Sequence, residues 1–450
     1  MDPITHAASG AVAMLAMPNR PATRWAVPLA AIAAASPDID VTLCHTPLEF
    51  LLLHRGITHS LAAAPLLGLL LTLLARPMWK SGTPGHWSFP KVWLFMVCMV
   101  LLHIWLDVVT TYGTMIYLPF SYDRVRLNAV YIIDLLLTLP LLWAVLRWRA
   151  KRGLMRLALA WIFVYPALCI GLNAWHTAQT ESRLAAEGQN TQQTVRQVVL
   201  LPDAFGPLFW RTLYETDGPE GRMVYSQGLN ALGQPRNAAT AHRAAPPELL
   251  AELARQSVAA EAFFGFTLLP VISPLSDDFK PAEALAGAAA PALPGTGDAT
   301  AATGATTTAA TAGTVTANAA SSPDNTSPAD AANTPDDARA PSAAASDTPA
   351  KDTRFAYALF NDLRFGSDLA FVRAIIASRP NADVPFKYMA ELELSTPGEA
   401  AALVDEGQNP GEARLVRERL RFSDSGKDSH WQSPMVPTPP SFWDWLIGLR

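Results

Sequence analysis

Residues 92–110 read VWLFMVCMVLLHIWLDVVT, an apolar run that contains one histidine and one aspartate. The run approaches the ~20 residues that an α-helix needs to cross the hydrocarbon core of a bilayer. His103 and Asp107 are four residues apart, so on a helix both side chains leave the same face and can share a cation. An isolated pair of this kind is better explained by a hydrogen bond within the helix. The stretch predicts a membrane helix that carries two members of a polar site.

Further histidines and aspartates lie in the same apolar third of the chain. Six of the nine histidines precede residue 111. The main groups are His6, the Pro37-Asp38-Ile39-Asp40 turn and the His54-Arg55-Gly56-Ile57-Thr58-His59-Ser60 run. Ionisable groups are costly beside hydrocarbon, so such a cluster indicates a compensating partner, most simply a metal cation. Singly, each group has an ordinary explanation, such as helix capping by an aspartate. Together they favour a metal site.

Six side chains are the predicted metal ligands: His6, Asp38, His54, His59, His103 and Asp107. His54 and His59 are five residues apart, and we expect Gly56 to allow a turn that brings them together. Mixed histidine and aspartate ligation suits zinc, manganese or iron better than calcium or magnesium, and zinc is the expected ion. Six donors exceed one tetrahedral ion, which allows two metals or a full outer shell of orienting groups.

A divalent ion at such a site would lower the pKa of water and polarise an ester or phosphoryl oxygen. Asp40 and Asp134 are the candidate catalytic base or orienting carboxylate. Arg55 and Arg124 are predicted to neutralise a substrate phosphate, whereas Arg126 is expected to anchor lipid headgroups. The pattern therefore predicts a metal-dependent hydrolase.

The two parts of the chain differ in charge and composition. Residues 1–175 carry 13 Lys and Arg against 7 Asp and Glu, and the remainder carries 21 against 32. Four apolar stretches follow the His54–His59 run, at about 60–75, 92–110, 130–146 and 154–175, and residues 4–17 and 25–36 form a predicted helical hairpin. The fold class is therefore mainly α: a polytopic helical membrane domain with a smaller α+β, β-rich tail.

Five segments are predicted along the chain. Residues 1–175 form the membrane domain, and 176–281 form the first part of the β-rich domain. Residues 282–350 are Ala, Thr, Pro and Ser-rich without an aromatic, which is typical of a disordered insertion. Residues 351–435 form the second part of the β-rich domain, and 436–450 are a candidate interfacial segment.

Basic connectors give an expected orientation. Arg147, Arg149, Lys151 and Arg152 form the densest basic loop, which the positive-inside rule assigns to the cytoplasm. Alternating outward from that loop assigns every candidate ligand, and the tail, to the outer face. The sequence thus predicts a multi-pass protein whose C-terminal tail is extracytoplasmic.

The motifs resemble the bacterial inner-membrane metal-dependent hydrolases of the YdjM, YbcI and YfhP type over roughly residues 1–140. The residues that carry the resemblance are Asp2-Pro3-Ile4-Thr5-His6, Pro37–Asp40, His54–Ser60, His103-x-x-x-Asp107, Thr110–Thr114, Leu118–Ser121 and Ile132–Asp134. Tail segments Pro207–Trp210 and Asn361–Phe365 are similar to segments of longer members. The order of ligands is more distantly similar to that of zinc-dependent phospholipase C, which implies a multinuclear site. The resemblance implies an inner-membrane location and a hydrolytic activity.

Two other functions would use the same residues. A metal-ion transporter or sensor also needs histidines and aspartates within helices, but polar groups should then follow a path on both sides of the midplane. A structural membrane protein would use the metal only to hold its fold. The expected partners are membrane lipid and a small-molecule or lipid substrate, without nucleic acid. The sequence does not predict an oligomeric state.

Overall fold

A computed structural model describes residues 1–82, 85–147, 152–191, 193–275, 355–367, 369, 372, 386–393, 413–422 and 430–438. All of these belong to one of the two units into which the chain divides, Met1–Pro281 with Thr353–Arg450. The predicted insertion 282–350 and residues 439–450 of the predicted interfacial segment lie outside the described residues.

The N-terminal region is helical. Its elements are α1 (Pro3–Ala16), α2 (Ala26–Ala35), a 3-10 helix (Ser36–Leu43), α3 (Pro47–Leu53), a 3-10 turn (Ile57–His59), α4 (Ala64–Leu74), α5 (Arg76–Trp79), α6 (Phe89–Val108), α7 (Leu135–Leu146) and α8 (Arg152–Thr191). Proline lies in the first turn of several of these helices, where its missing N–H has no intrahelical acceptor to lose. The predicted helical character of this region is confirmed.

Three helical segments in the described part of the chain are long and apolar enough to cross a membrane: Ala26–Leu43, Phe89–Val108 and Arg152–Gly188. Pro47–His59 and Ala64–Leu74 make a fourth if the pair, bent by 76°, is one broken span. The apolar helix α7 is shorter, at 12 residues. The region therefore has the composition of a multi-pass membrane domain.

Helices α1 and α2 pack closely, as the predicted hairpin requires. A Cβ on Gly10 would lie 2.3 Å from the carbonyl oxygen of Ala30 and 2.7 Å from Cβ of Ala34. Only a glycine allows backbones to approach so closely, which is a common device between membrane helices. The close contact holds the C-terminal end of α2, and hence the Ser36–Leu43 turn, against the core.

Helix α8 continues well past the apolar run that predicted it. It extends over 40 residues to Thr191, which at 1.5 Å per residue is roughly 60 Å. The predicted boundary at 175/176 therefore falls inside a helix. Residues 177–187 contain no proline or glycine and are rich in Ala, Glu and other helix formers, so nothing in the sequence stops the helix there.

The rest of the described chain is rich in β-structure. Strands β1 (Thr194–Pro202), β2 (Phe209–Gly218), β3 (Gly221–Asn230) and β4 (Thr240–Arg243) form an antiparallel meander. Helices α9 (Pro247–Gln256) and α10 (Val258–Phe266) follow, and Ser257 ends one helix and caps the next. Strands β5 (Pro270–Pro274), β6 (Phe355–Asp362), β7 (Phe386–Glu393) and β8 (Arg414–Phe422) form a second antiparallel sheet.

The second sheet joins the two sides of the predicted insertion. Strand β5 pairs with β6, although residues 275–354 separate them in the chain. Nearly every residue of β7 is buried, so both faces of this strand are covered. Glu391 is 4% exposed and is held by Arg417 and by the Tyr357 hydroxyl at 2.8 Å, so a buried ion pair accounts for the polar residue.

Candidate metal centre

Four side chains from three elements meet in the helical region. Asp38 comes from the 3-10 helix after α2, His59 from the Ile57–His59 turn, and His103 and Asp107 from α6. One ligand atom of each lies within 4.8 Å of the others. His59, His103 and Asp107 are fully buried, and the Asp38 side chain is 19% exposed. The cluster is therefore shielded from its surroundings except at Asp38, whose side chain is partly exposed.

The distances within this cluster suit a tetrahedral ion. His59 Nε2 lies 3.0 Å from His103 Nε2 and 3.2 Å from Asp107 Oδ2. Asp38 Oδ1 lies 3.4 Å from each of the two Nε2 atoms, and His103 Nε2 lies 3.4 Å from Asp107 Oδ2. Ligands at about 2.0–2.1 Å around a tetrahedral zinc ion are separated by roughly 3.3–3.4 Å. Asp107 Oδ2 is buried without a hydrogen bond, as expected of an atom that faces a cation.

The outer nitrogen of His103 fixes its tautomer. Nδ1 lies 2.7 Å from the carbonyl oxygen of Ala34, at the end of α2, and must carry a proton to donate to it. The lone pair of the neutral ring is then on Nε2, the atom that faces the cluster. The close packing of α1 against α2 thus sets the position of a carbonyl that orients a candidate ligand.

Asp40 lies behind the outer nitrogen of His59, as the carbonyl of Ala34 lies behind that of His103. Its Oδ2 lies 3.2 Å from His59 Nδ1 and accepts hydrogen bonds of 3.0 Å from the Thr58 hydroxyl and from the backbone N–H of Arg55; the Thr58 oxygen in turn lies 3.0 Å from His59 Nδ1. A carboxylate behind the outer nitrogen of a histidine is the usual orienting partner of a metal ligand. Asp40 therefore lies where an orienting carboxylate would be expected, which is one of the two roles that the sequence offered for it.

The turn between His54 and His59 is strained at Arg55, and not at the glycine that was expected to form it. Arg55 has φ of 59°, the left-handed region that is unfavourable for a residue with a Cβ. Gly56 has a negative φ. It is needed for space instead, because a Cβ there would lie 2.7 Å from the carbonyl oxygen of Leu53. The ring centroids of His54 and His59 lie 6.0 Å apart, so the expected approach of the two histidines is present.

A second group of candidate ligands shares Asp38 with the first. It consists of Asp38, Asp40 and His54, with one ligand atom of each within 4.8 Å of the others. His54 Nδ1 lies 3.0 Å from Asp40 Oδ1, and its side chain is 12% exposed. A shared carboxylate is the arrangement by which two cations can lie side by side.

His6 lies beside the cluster but outside both groups of ligands. Its Nε2 is 3.2 Å from Asp107 Oδ1, and its ring stacks on His103 with centroids 3.7 Å apart. His6, a predicted ligand, thus contacts two other predicted ligands, His103 and Asp107, from outside the cluster. Its Nδ1 is buried without a hydrogen-bond partner.

Arg55 lies against the same carboxylate. Its guanidinium pairs with Asp107 Oδ1 at 3.0 Å and donates to the Thr110 hydroxyl at 3.0 Å. The amino group of Met1 also contacts Asp107 Oδ1. Arg55 Nε is buried without a partner, so the side chain retains one donor for an anion.

Two of the predicted residues have surroundings of a different kind. Asp134 caps α7 by accepting the backbone N–H of Leu137 at 3.0 Å, and it accepts the Tyr165 hydroxyl at 2.8 Å. It belongs to neither ligand group, and its contacts are those of a helix cap. Arg124 belongs to neither ligand group. Its guanidinium contacts the rings of Tyr112 and Phe266, and it belongs to the wall of a separate pocket.

Arg364, within the tail segment Asn361–Phe365, connects the tail to this region. Arg364, in the turn after β6, pairs with Asp362 and donates to the carbonyl oxygens of Thr111 and Tyr112 at 3.1 and 3.4 Å. Its contacts reach across more than 250 residues of chain, which no local pattern can reveal. The tail sheet is thereby tied to the loop that follows His103 and Asp107.

The fold and the cluster together define a class: a membrane protein with a buried aspartate–histidine cluster suited to a divalent metal ion. Residues 1–177 match the family model described as YdjM inner membrane protein. The resemblance predicted from the motifs is confirmed over that region.

A curated relative matches part of the chain. The chain is 29% identical over 158 residues to the uncharacterized protein YfhP of Bacillus subtilis (strain 168), an alignment that covers 33% of this chain and 47% of that protein. The chain thus spans about half the length of the curated relative that it matches. No solved structure matches the chain.

Proposed function

We propose that this protein is a membrane-bound metal-dependent hydrolase that cleaves an ester or phosphoester bond of a membrane lipid. The observation that supports it most is the set of four donor atoms, two imidazole nitrogens and two carboxylate oxygens, at the spacing of a tetrahedral ion. Asp38, His59, His103 and Asp107 would hold the first ion, and Asp38, Asp40 and His54 a second. The donors are those that zinc prefers, with manganese or iron as alternatives.

The bound ion would supply Lewis acidity, which activates water and polarises the bond to be cleaved. The remaining roles would fall to side chains of the protein. Asp40 would orient His59, and its contact with His54 would also orient the second group of ligands. Arg55 would donate its unpaired Nε to an anionic oxygen of the substrate while Asp107 keeps the guanidinium in place. Asp134 has no part in this scheme, because its oxygens cap α7 and bind Tyr165.

The rim of the site supports a lipid as substrate. Asp38 is the most exposed member of the first ligand group, and its neighbours in the chain include Ile39 at 60% and Leu43 at 62% exposed. Ile4, close in sequence to His6, is also 60% exposed. Exposed aliphatic side chains beside a polar opening are expected where hydrocarbon, not water, adjoins the protein.

The location proposed is the bacterial inner membrane, with the tail on the extracytoplasmic side. The positive-inside rule supports it through the basic loop at Arg147–Arg152. Fusion of a periplasm-active reporter, and separately of a cytoplasm-active one, after Arg450 tests the side. Activity of the cytoplasmic fusion alone would reverse the assignment.

Metal analysis of the detergent-purified protein tests the function at its base. We expect wild type to retain a divalent ion and the His59→Gln/His103→Gln double variant to lose it. His45→Gln is the matched control, since His45 is an exposed histidine outside both groups. A screen of phosphoester and carboxylic ester lipids should then show turnover in wild type and His45→Gln only. Metal content unaffected by the double substitution would reject the site.

A further inference from the structure

A second site lies between the helical region and the tail. A pocket of about 110 Å³ opens between α3, the loop after α6 and helix α10. Most of its wall is apolar, formed by Leu51, Leu52, Met115, Ala262, Gly265 and Phe266. Helix α3 belongs to the bent pair that is apolar enough to lie in a membrane. The pocket is therefore reachable by a hydrocarbon chain.

Arg124 brings a positive charge to this apolar wall. Its guanidinium donates to the carbonyl oxygens of Leu51 and Gly113, and it lies 5.4 Å from the ring centroid of Phe266. No carboxylate in the described part of the chain lies within ion-pair distance of it. Burial, together with the neighbouring cations Arg364 and Arg55, lowers the pKa of Arg124 to about 10.

Arg126 brings a second positive charge next to the pocket: it does not line the pocket itself but contacts Phe266, which does. It donates to the carbonyl oxygen of Phe266 at 3.4 Å and, among the described residues, has no carboxylate within ion-pair distance. The other two arginines nearby are compensated, Arg55 by Asp107 and Arg364 by Asp362. Glu261 also lines the pocket. If the negative charge of Glu261 is set against the positive charges of Arg124 and Arg126, a net positive charge of one remains.

We propose that this pocket binds a phosphate-bearing lipid, with the phosphate at Arg124 and Arg126 and a hydrocarbon chain against the walls of α3 and α10. Arginine side chains are suited to phosphate oxygens, and their charge is more effective in apolar surroundings than in water. An apolar pocket with a few convergent charged groups is the usual form of a site for an amphiphile.

This site is distinct from the metal centre. The Tyr112 ring adjoins residues of both: Arg55 is 4.8 Å and Arg124 is 5.8 Å from its centroid, and the centroid of the His54 ring lies 5.4 Å away. None of the candidate metal ligands lines the pocket. Lipid binding here therefore goes beyond the proposed hydrolysis and does not require the metal.

Gly265 makes the proposal testable. A Cβ on this residue would meet no atom within 4 Å, so a larger side chain can extend into the pocket without disturbing the helix packing. Gly171, in α8, has equally open surroundings and does not line the pocket. Gly265→Leu and Gly171→Leu are thus a matched pair.

The experiment measures binding of dioctanoyl phosphatidic acid to the detergent-purified full-length chain by native mass spectrometry. Dioctanoylglycerol and inorganic phosphate are the comparison probes. We expect Gly265→Leu and Arg124→Gln each to weaken binding about tenfold or more, because one removes room for the chain and the other a charge-assisted contact. Ala262→Leu and Arg126→Gln repeat the two tests at neighbouring positions should either first variant fold poorly. Gly171→Leu should bind as wild type does.

The outcomes separate this site from the hydrolase. Binding that persists in His103→Gln supports a site apart from the metal centre, whatever the turnover screen shows. If dioctanoylglycerol bound equally well, the arginines would not contribute to binding. If inorganic phosphate bound equally well, the apolar wall of the pocket would not contribute. Wild-type affinity in Gly265→Leu and Ala262→Leu, or binding lost in His103→Gln alone, would overturn the proposal.

Discussion

His59 and His103 present their Nε2 atoms to each other at 3.0 Å, while an oxygen of the protein holds the Nδ1 atom of each ring. Asp40 holds one ring and the carbonyl of Ala34 the other. Two imidazoles fixed in this way both direct a lone pair at the same point. A cation at that point relieves their repulsion, which makes the arrangement easier to explain as a ligand pair than as a packing contact.

Asp40→Asn should weaken metal binding. An amide keeps the shape of the carboxylate but loses its charge, and its NH₂ group cannot accept the proton of His59 Nδ1. Loss of such an orienting partner typically costs about 10–100-fold in metal affinity. Competition with a chromophoric chelator measures it. Asp123→Asn, an exposed aspartate bonded to Ser121, is the control. An unchanged affinity in Asp40→Asn would show that Asp40 does not orient the ligand.

Arg55→Lys should reduce turnover while metal stays bound. The guanidinium of Arg55 pairs with Asp107 and donates to Thr110 while retaining Nε for the substrate, and a single ammonium group cannot do all three. Removal of a donor to a developing negative charge typically costs about 100-fold in kcat. Steady-state kinetics on the substrate found in the screen, with metal content measured alongside, checks it. Loss of the metal together with activity would instead assign Arg55 to the integrity of the site.

Gly10→Ala should destabilise the helical region. The new Cβ would lie 2.3 Å from the carbonyl oxygen of Ala30, so α1 and α2 would have to move apart. Overpacking of this kind typically costs about 1–3 kcal/mol. Thermal unfolding in detergent measures it. The control is Gly171→Ala, where a Cβ meets nothing within 4 Å and stability should hold or rise. Equal unfolding temperatures for the two variants would contradict the close packing.

The tail should lose stability as pH rises, because of Glu418. Burial raises the pKa of this carboxyl, which accepts hydrogen bonds from Ser257 and Tyr388 at 2.5 and 2.8 Å. A folded-state pKa above that of the unfolded chain favours folding below the ordinary pKa, and the contribution is lost as pH rises through the raised value. Unfolding of wild type and Glu418→Gln across this range should show the slope in wild type and a weaker one in the variant. Parallel curves would exclude Glu418 as the source.

Much of the fold follows from local pattern. The long apolar run around His103 predicts α6, and the runs at 4–17 and 25–36 predict the hairpin of α1 and α2. The break between α9 and α10 depends on Ser257, a cap whose hydroxyl donates to Glu418, 161 residues away. The burial of Glu391 likewise depends on Arg417 and Tyr357, which lie on other strands. Long-range partners decide these features, and local sequence does not contain them.

The candidate site shows the same division. Residue types predicted the cluster, and the structure brings Asp38, His59, His103 and Asp107 together. Sequence could not separate an orienting carboxylate from a capping one, so Asp40 and Asp134 were equal candidates. Their hydrogen-bond partners distinguish them. The left-handed backbone of Arg55 was also invisible, since the glycine beside it is the residue expected in that conformation.

The pairing of β5 with β6 has a consequence for biosynthesis. Eighty residues separate the end of β5 at Pro274 from the start of β6 at Phe355. At roughly 5–20 residues per second, a ribosome needs several seconds to supply the missing partner. Until then, Phe263 and Phe266 of α10 lack the strands that bury them. A nascent or truncated chain that stops within this interval would present an aromatic surface to chaperones and proteases.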